Sequence, residues 1–220
     1  LKAKHSFSFA HYYDPEFMGF GALRVINEDR VQGGGGFDTH PHKNMEIVTY
    51  ILDGALEHKD SMGNGSVIKT GDVQRMSAGT GVKHSEFNHS QTDEVHLFQV
   101  WYLPREKNIE PSYEQKNFSK EAKKNQFRLV LSPDGRDGSL TVYQDINMFA
   151  AVFENTNETY KLPLQSKNKT WVQLASGSAY VNGQPVFAGD GVALEDEEEL
   201  IVTQAQNAEL VVFNMYGKAL

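Results

Sequence analysis

Cysteine is absent from the 220 residues. Disulfides, thiolate nucleophiles, iron–sulfur clusters and Cys-based zinc sites are excluded with it, so any metal chemistry must use His, Glu and Asp. No apolar run approaches the roughly 18 residues that span a bilayer as a helix, and no membrane association is expected. Basic residues are outnumbered, 21 Lys and Arg against 29 Asp and Glu, for a formal net charge of −8. No basic face is concentrated in the sequence, which argues against direct nucleic-acid binding. Lys116 to Lys124 reads as a solvated loop or short helix, and Asp196 to Glu199 as an exposed acidic turn. No signal peptide is visible, and a cytoplasmic protein is the default expectation.

Helical patterning is scarce as well. It is expected at Ser119 to Asn125, where Ser119 would cap the first turn, and at Asp145 to Met148. What the chain has instead is turn punctuation, with 19 Gly and 7 Pro, between short runs rich in β-branched and aromatic residues. Ile47 to Ile51, Val95 to Leu103, Phe127 to Leu131 and Leu210 to Phe213 are examples. Such runs predict an all-β sandwich or barrel.

A weak internal repeat divides the chain. Gly54, Asn64-Gly65 and Gly71-Asp72 in the first half match Gly177, Asn182-Gly183 and Gly189-Asp190 in the second. Both Asn-Gly pairs predict type I′ hairpin turns. The reading is an N-terminal barrel over 1–124 and a C-terminal barrel over 125–220.

Two short pairs, His40-Pro41-His42 and His84-Ser85-Glu86, carry the chemistry. Residues i and i+2 of a strand point to one face. Two such strands facing each other would converge three imidazoles and one carboxylate, a ligand set for one divalent transition metal. The separation of the pairs suits two or three intervening strands. A salt bridge to Lys83 or Lys43 is the plainer alternative for Glu86, but its i+2 relation to His84 favours ligation. His5, His11, His89 and His96 have no pairing logic. All eight histidines lie in the first 96 residues. Carried across the repeat, the ligand positions land near Pro163, Gln165, Val202 and Gln204, so the C-terminal barrel is expected to pack without metal. Ligation needs neutral imidazoles, so metal affinity should fall as pH drops toward and below about 6.5.

Phe37-Asp38-Thr39-His40-Pro41-His42 with Glu46 to Tyr50 resembles the first cupin motif of the pirins. Gly71-Asp72-Val73-Gln74, Met76 to Gly81 and His84-Ser85-Glu86 resemble the second. Phe7 to Ala10, Tyr12 to Pro15, Leu23 to Asn27 and Leu131 to Leu140 are similar to pirin sequence too. The resemblance implies a bicupin, two antiparallel β-barrels in one chain, with metal ligands His40, His42, His84 and Glu86. It also implies Fe(II), although Zn, Mn, Ni, Co and Cu accept the same donors. Met45 and Arg75 depart from the commoner pattern and leave the pocket's shape, and so the substrate, open. Glu46 would share the ligand face, four residues past His42, and orient an imidazole N–H from behind. His58 belongs to the pirin-like pattern and is expected to have a structural role beside the barrel mouth.

The function implied is that of a quercetin 2,3-dioxygenase. A planar flavonol would lose its 3-hydroxyl proton to Glu86 or a metal-bound base, and O2 would add across C2 and C3 with release of CO. The alternative is a non-enzymatic, metal-dependent redox sensor that binds a protein partner. A cupin isomerase or hydrolase for another small molecule is a third reading.

Overall fold

The computed structural model describes residues 1–154 and 157–216. They divide into two compact units. The first takes in Leu1–Asn117 together with Leu140–Gln144, and the second takes in Phe118–Ser139 and the described chain from Asp145 to Tyr216. No helix among the described residues is long and apolar enough to cross a membrane.

In the first unit the strands are β1 (Lys2–His5), β2 (Leu23–Val31), β3 (Gly36–His42), β4 (Glu46–Asp53), β5 (Ala55–Asp60), β6 (Gly65–Lys69), β7 (Asp72–Ser77), β8 (Val82–Asn88), β9 (Val95–Tyr102) and β10 (Ser112–Asn117). They form a six-stranded sheet in the order β1-β2-β9-β4-β7-β10 and a four-stranded sheet in the order β3-β8-β5-β6. Ile51, Leu56, Ile68, Val95 and Leu97 pack together between the sheets, with Phe37 against them. Each such fully buried aliphatic side chain contributes about 1.5–3 kcal/mol.

Strand β4 lies between β9 and β7 and is buried on both faces. One face carries Ile47, Thr49 and Ile51 toward the four-stranded sheet. The other carries Glu46, Val48 and Tyr50 away from it. That outer face is covered in part by the segment Leu140–Gln144. The Arg75 Nε donates to the Thr141 carbonyl (2.7 Å), Nη1 donates to Ser112 (2.6 Å) and Ser77 (3.0 Å), and Nη2 lies 3.3 Å from Glu114. Arg75 therefore lies behind the sheet, where it cannot shape a pocket on the inner face.

The second unit opens on α1 (Lys120–Lys123), capped as expected by the Ser119 hydroxyl, which accepts from the Ala122 N–H at 3.2 Å. Its strands are β11 (Arg128–Ser132), β13 (Ile146–Phe153), β14 (Tyr160–Pro163), β15 (Lys169–Val181), β16 (Gln184–Phe187), β17 (Gly191–Leu194) and β18 (Glu199–Met215); the short β12 (Leu140–Thr141) belongs to the first unit. Strands β13, β18 and β15 are central. The expected helix at Asp145 to Met148 is instead the start of β13, where every residue from Ile146 pairs with β18. The apolar alternation outweighs the weak helical signal.

The repeat is visible in hydrogen bonds. Gly71 N–H donates to the Ile51 carbonyl and Thr70 N–H to that of Gly54; Gly189 N–H donates to Leu174 and Ala188 N–H to Gly177 in the same way. The aspartates act alike: Asp72 accepts from the Lys69 N–H and Asp190 from the Phe187 N–H. The hairpins differ. Asn182 (φ 44°) and Gly183 (φ 82°) form the expected two-residue turn, whereas Asn64-Gly65 does not. There the Asp60 carboxylate accepts from the Met62 and Asn64 N–H groups and builds a four-residue loop ahead of β6.

Candidate metal centre

Alternation along β8 buries Val82, His84, Glu86 and Asn88 on one face. Strand β3 pairs directly with β8, with His40 opposite His84 and His42 opposite Val82. The two ligand strands are thus neighbours in one sheet, and four strands separate them in sequence, more than the two or three expected. A register shift between Phe37 and His40 adjusts the pairing just before the histidines.

His40, His42 and His84 each offer a ring nitrogen within 4.8 Å of the others. The Nε2 atoms of His40 and His84 lie 3.0 Å apart. His40 Nδ1 is 2.7 Å from the Asp38 carbonyl; donation there leaves Nε2 with its lone pair facing inward. His42 Nε2 is buried with no partner, and the ring meets Trp101 edge-on at 4.8 Å. Burial holds His42 down to about 4. Burial, with the neighbouring imidazoles, holds His84 down to about 3. Proton competition for these two rings therefore sets in well below the ordinary histidine value of about 6.5. Three inward-facing ring nitrogens, that of His42 buried without a partner, fit a divalent transition metal.

Glu86 falls in a second cluster with His84 and His58, again within 4.8 Å. Its Oε2 accepts from Gln99 at 2.7 Å, and Oε1 lies 3.5 Å from the Thr49 hydroxyl. Burial pushes its carboxyl up, against the lowering effect of Gln99. Among the described residues it accepts from Gln99 rather than pairing with Lys83 or Lys43. His58 is fully buried, with Nε2 2.9 Å from Asp60 and Nδ1 unpartnered. Its ring lies 5.3 Å from that of His84 and 5.0 Å from that of Tyr113.

Glu46 is elsewhere. A turn through Asn44 (φ 51°) separates β3 from β4 and resets the alternation, so Glu46 points to the outer face while Thr49 points in. Its Oε2 accepts from Ser77 (2.8 Å) and the Tyr143 N–H (3.2 Å), and no hydrogen bond to an imidazole is present among the described residues. Burial pushes this carboxyl up to about 7.

Thr49 and Gln99 escaped the sequence reading. The available signal was a single polar residue inside each apolar run, Ile47 to Ile51 and Leu97 to Trp101. The cross-strand row they belong to runs His5, Asn27, Gln99, Thr49, Gln74 and Gln115. His5 is part of it, with Nδ1 2.7 Å from Asn27 Oδ1. A cavity of about 550 Å³ opens onto this row and is lined by Asn27, Asp29, Phe37, His40, Gln99 and Trp101 among others. That size suits a small organic ligand. Another of about 530 Å³ lies against Pro41, His42 and Lys83.

Comparison with known proteins agrees with this geometry. The pirin family model matches residues 1–102, and that of the quercetinase C-terminal cupin domain matches residues 129–215. The chain is 45% identical over 216 residues to a quercetin 2,3-dioxygenase of Escherichia coli (strain K12), covering 98% of this chain and 91% of that one. A pirin-like protein of Caulobacter vibrioides is 39% identical, over 96% of this chain and 91% of its own. The crystal structure of YhhW from Escherichia coli superposes with a TM-score of 0.93 at 44% identity, covering 99% of this chain and 92% of that one. The bacterial pirin YhhW in complex with nickel(II) gives 0.91 at 44%, over 97% and 90%. The fold is a bicupin, and the chain belongs to the pirin family.

Proposed function

We propose that the protein is a metal-dependent dioxygenase of the quercetin 2,3-dioxygenase type, opening the heterocycle of a flavonol with O2 and releasing CO. The observation that carries this reading is the convergence of three ring nitrogens, one of them (His40) at the wall of an organic-sized cavity, beside a buried carboxylate gripped on one oxygen. His40, His42 and His84 would hold the metal, with Glu86 as the fourth ligand. When bound, a divalent transition metal supplies positive charge that acidifies a substrate hydroxyl and a centre at which O2 reacts. Iron and nickel both suit the donor set.

The protein's own contribution is positioning and proton transfer. Gln99 fixes Oε2 of Glu86, so Oε1, with only the long contact from Thr49, would take the proton of the 3-hydroxyl when it is swung off the metal. Burial favours the neutral carboxyl, so Glu86 keeps the proton once it has it. Phe37 and Trp101 offer flat apolar surface to a planar ring. The electrons for ring opening come from the flavonol itself, and both oxygen atoms enter the product.

Oxygen uptake by metal-loaded protein with quercetin tests the reading. Uptake should match quercetin loss one to one, should stop without O2, and should vanish in His42→Ala. Quercetin loss at an undiminished rate under anaerobic conditions, or no uptake with any of the candidate metals, would overturn it.

A further inference from the structure

Asp29 is buried on β2, 3% exposed, and forms part of the wall of the cavity that His40 and Gln99 also line. Among the described residues no hydrogen bond or ion pair reaches its carboxylate. Its neighbours along the same wall are already engaged: Asn27 with His5 at 2.7 Å, and Gln99 with Glu86 at 2.7 Å. A desolvated carboxyl without a donor is unfavourable, and this one lines a cavity from which a donor can reach it. Asp29 pairs across the sheet with Leu97, two residues from Gln99. Strand geometry therefore sets Asp29 about 8 Å from Gln99, backbone to backbone, one step across the sheet and two along it. A fused-ring phenol is long enough to span such an interval within a cavity that His40 also lines, and Phe37 and Trp101 flank it with apolar surface.

We infer that Asp29 is the specificity-determining group of this cavity, accepting a hydrogen bond from a phenolic hydroxyl remote from the oxygen that faces His40. The inference rests on the reading of the site as one for flavonols and adds which flavonols it prefers: those hydroxylated away from the 3-position. Burial pushes the carboxyl up to about 6, against the opposing charge of His5, so at neutral pH it is an acceptor whose ionised form gains from a donor.

The test is calorimetric titration of nickel-loaded protein, without O2, with two probes that share the 3-hydroxyl and carbonyl. Quercetin carries additional ring hydroxyls, and 3-hydroxyflavone carries none. The wild type should bind quercetin about tenfold or more tighter, the size of one hydrogen bond to a charged group. Asp29→Leu should bring the two affinities within about twofold while leaving 3-hydroxyflavone binding intact, and Asp29→Asn should fall between. In the ligand-free state Asp29→Asn should melt at or above the wild-type temperature, because no native contact is lost. A preference for quercetin unchanged in Asp29→Leu, or an Asp29→Asn protein that melts well below wild type, would overturn the assignment of Asp29 alone. A wild type that binds neither probe would overturn the flavonol reading and this inference together.

Discussion

Gln99 donates to Oε2 of Glu86 across 2.7 Å, from a strand of the six-stranded sheet to a strand of the four-stranded one. The bond makes the two oxygens of Glu86 unequal. Replacing Gln99 with Leu should free the carboxylate to rotate and lower nickel affinity by about 10–100-fold, as losses of such supporting bonds do. Calorimetry on wild type and variant measures it; unchanged affinity would remove Gln99 from the account.

The two overlapping clusters predict different variants. If His40, His42 and His84 seat the metal, then His40→Ala and His42→Ala should purify nearly metal-free, and His58→Gln, which can still donate to Asp60, should keep about one ion per chain. Elemental analysis beside a melting curve decides. Retention in His42→Ala with loss in His58→Gln would move the centre to the other cluster.

Glu46 gives a pH prediction with a definite sign. Its carboxyl is raised from 4.5 to about 7 by burial. The folded state therefore binds this proton more tightly than the unfolded chain does. The associated stability is complete below pH 4.5 and is lost as pH rises through about 7. Glu46→Gln keeps the shape and removes the titration. Its stability relative to wild type should climb between pH 4.5 and 7 and level off above, by about 3 kcal/mol at most. Urea unfolding of both proteins at pH 5 and pH 8 checks it, and a difference independent of pH contradicts it.

Two glycines with similar backbones should respond differently to alanine. Gly183 (φ 82°) has open space where a Cβ would sit, so Gly183→Ala should cost only the backbone strain, about 1 kcal/mol. At Gly177 (φ 71°) a Cβ would lie 2.2 Å from the carbonyl oxygens of Asn207 and Gln206. Gly177→Ala should cost several times more, about 3 kcal/mol or above, by adding a backbone clash to the strain. Denaturation midpoints of the pair measure the contrast.

Much of the first unit was legible because strand alternation is a local rule. His40 and His42, then His84 and Glu86, share faces for that reason alone, and the glycine–aspartate turns announced the repeat. Glu46 was misplaced because the Asn44 turn resets the alternation, and nothing in residues 43–45 states the phase in which β4 begins. Asn64-Gly65 misled because the Asp60 side chain, four residues earlier, closes a larger loop than the pair would make alone. Thr49, Gln99 and Asp29 were hidden for another reason. Thr49 and Gln99 meet Glu86 on another strand, and Asp29 comes to line a cavity, only once the sheets are set face to face.

The imidazoles all come from one sheet, whereas both groups that steady Glu86 come from the other. Sliding the sheets apart by about an ångström would sever the Gln99 bond, whose useful range ends near 3.5 Å, yet leave the three rings in register. Small deformations of this unit would then loosen the acid–base partner before the cation's seat, and an occupant of the cavity, wedged between the same two layers, is placed to set that spacing.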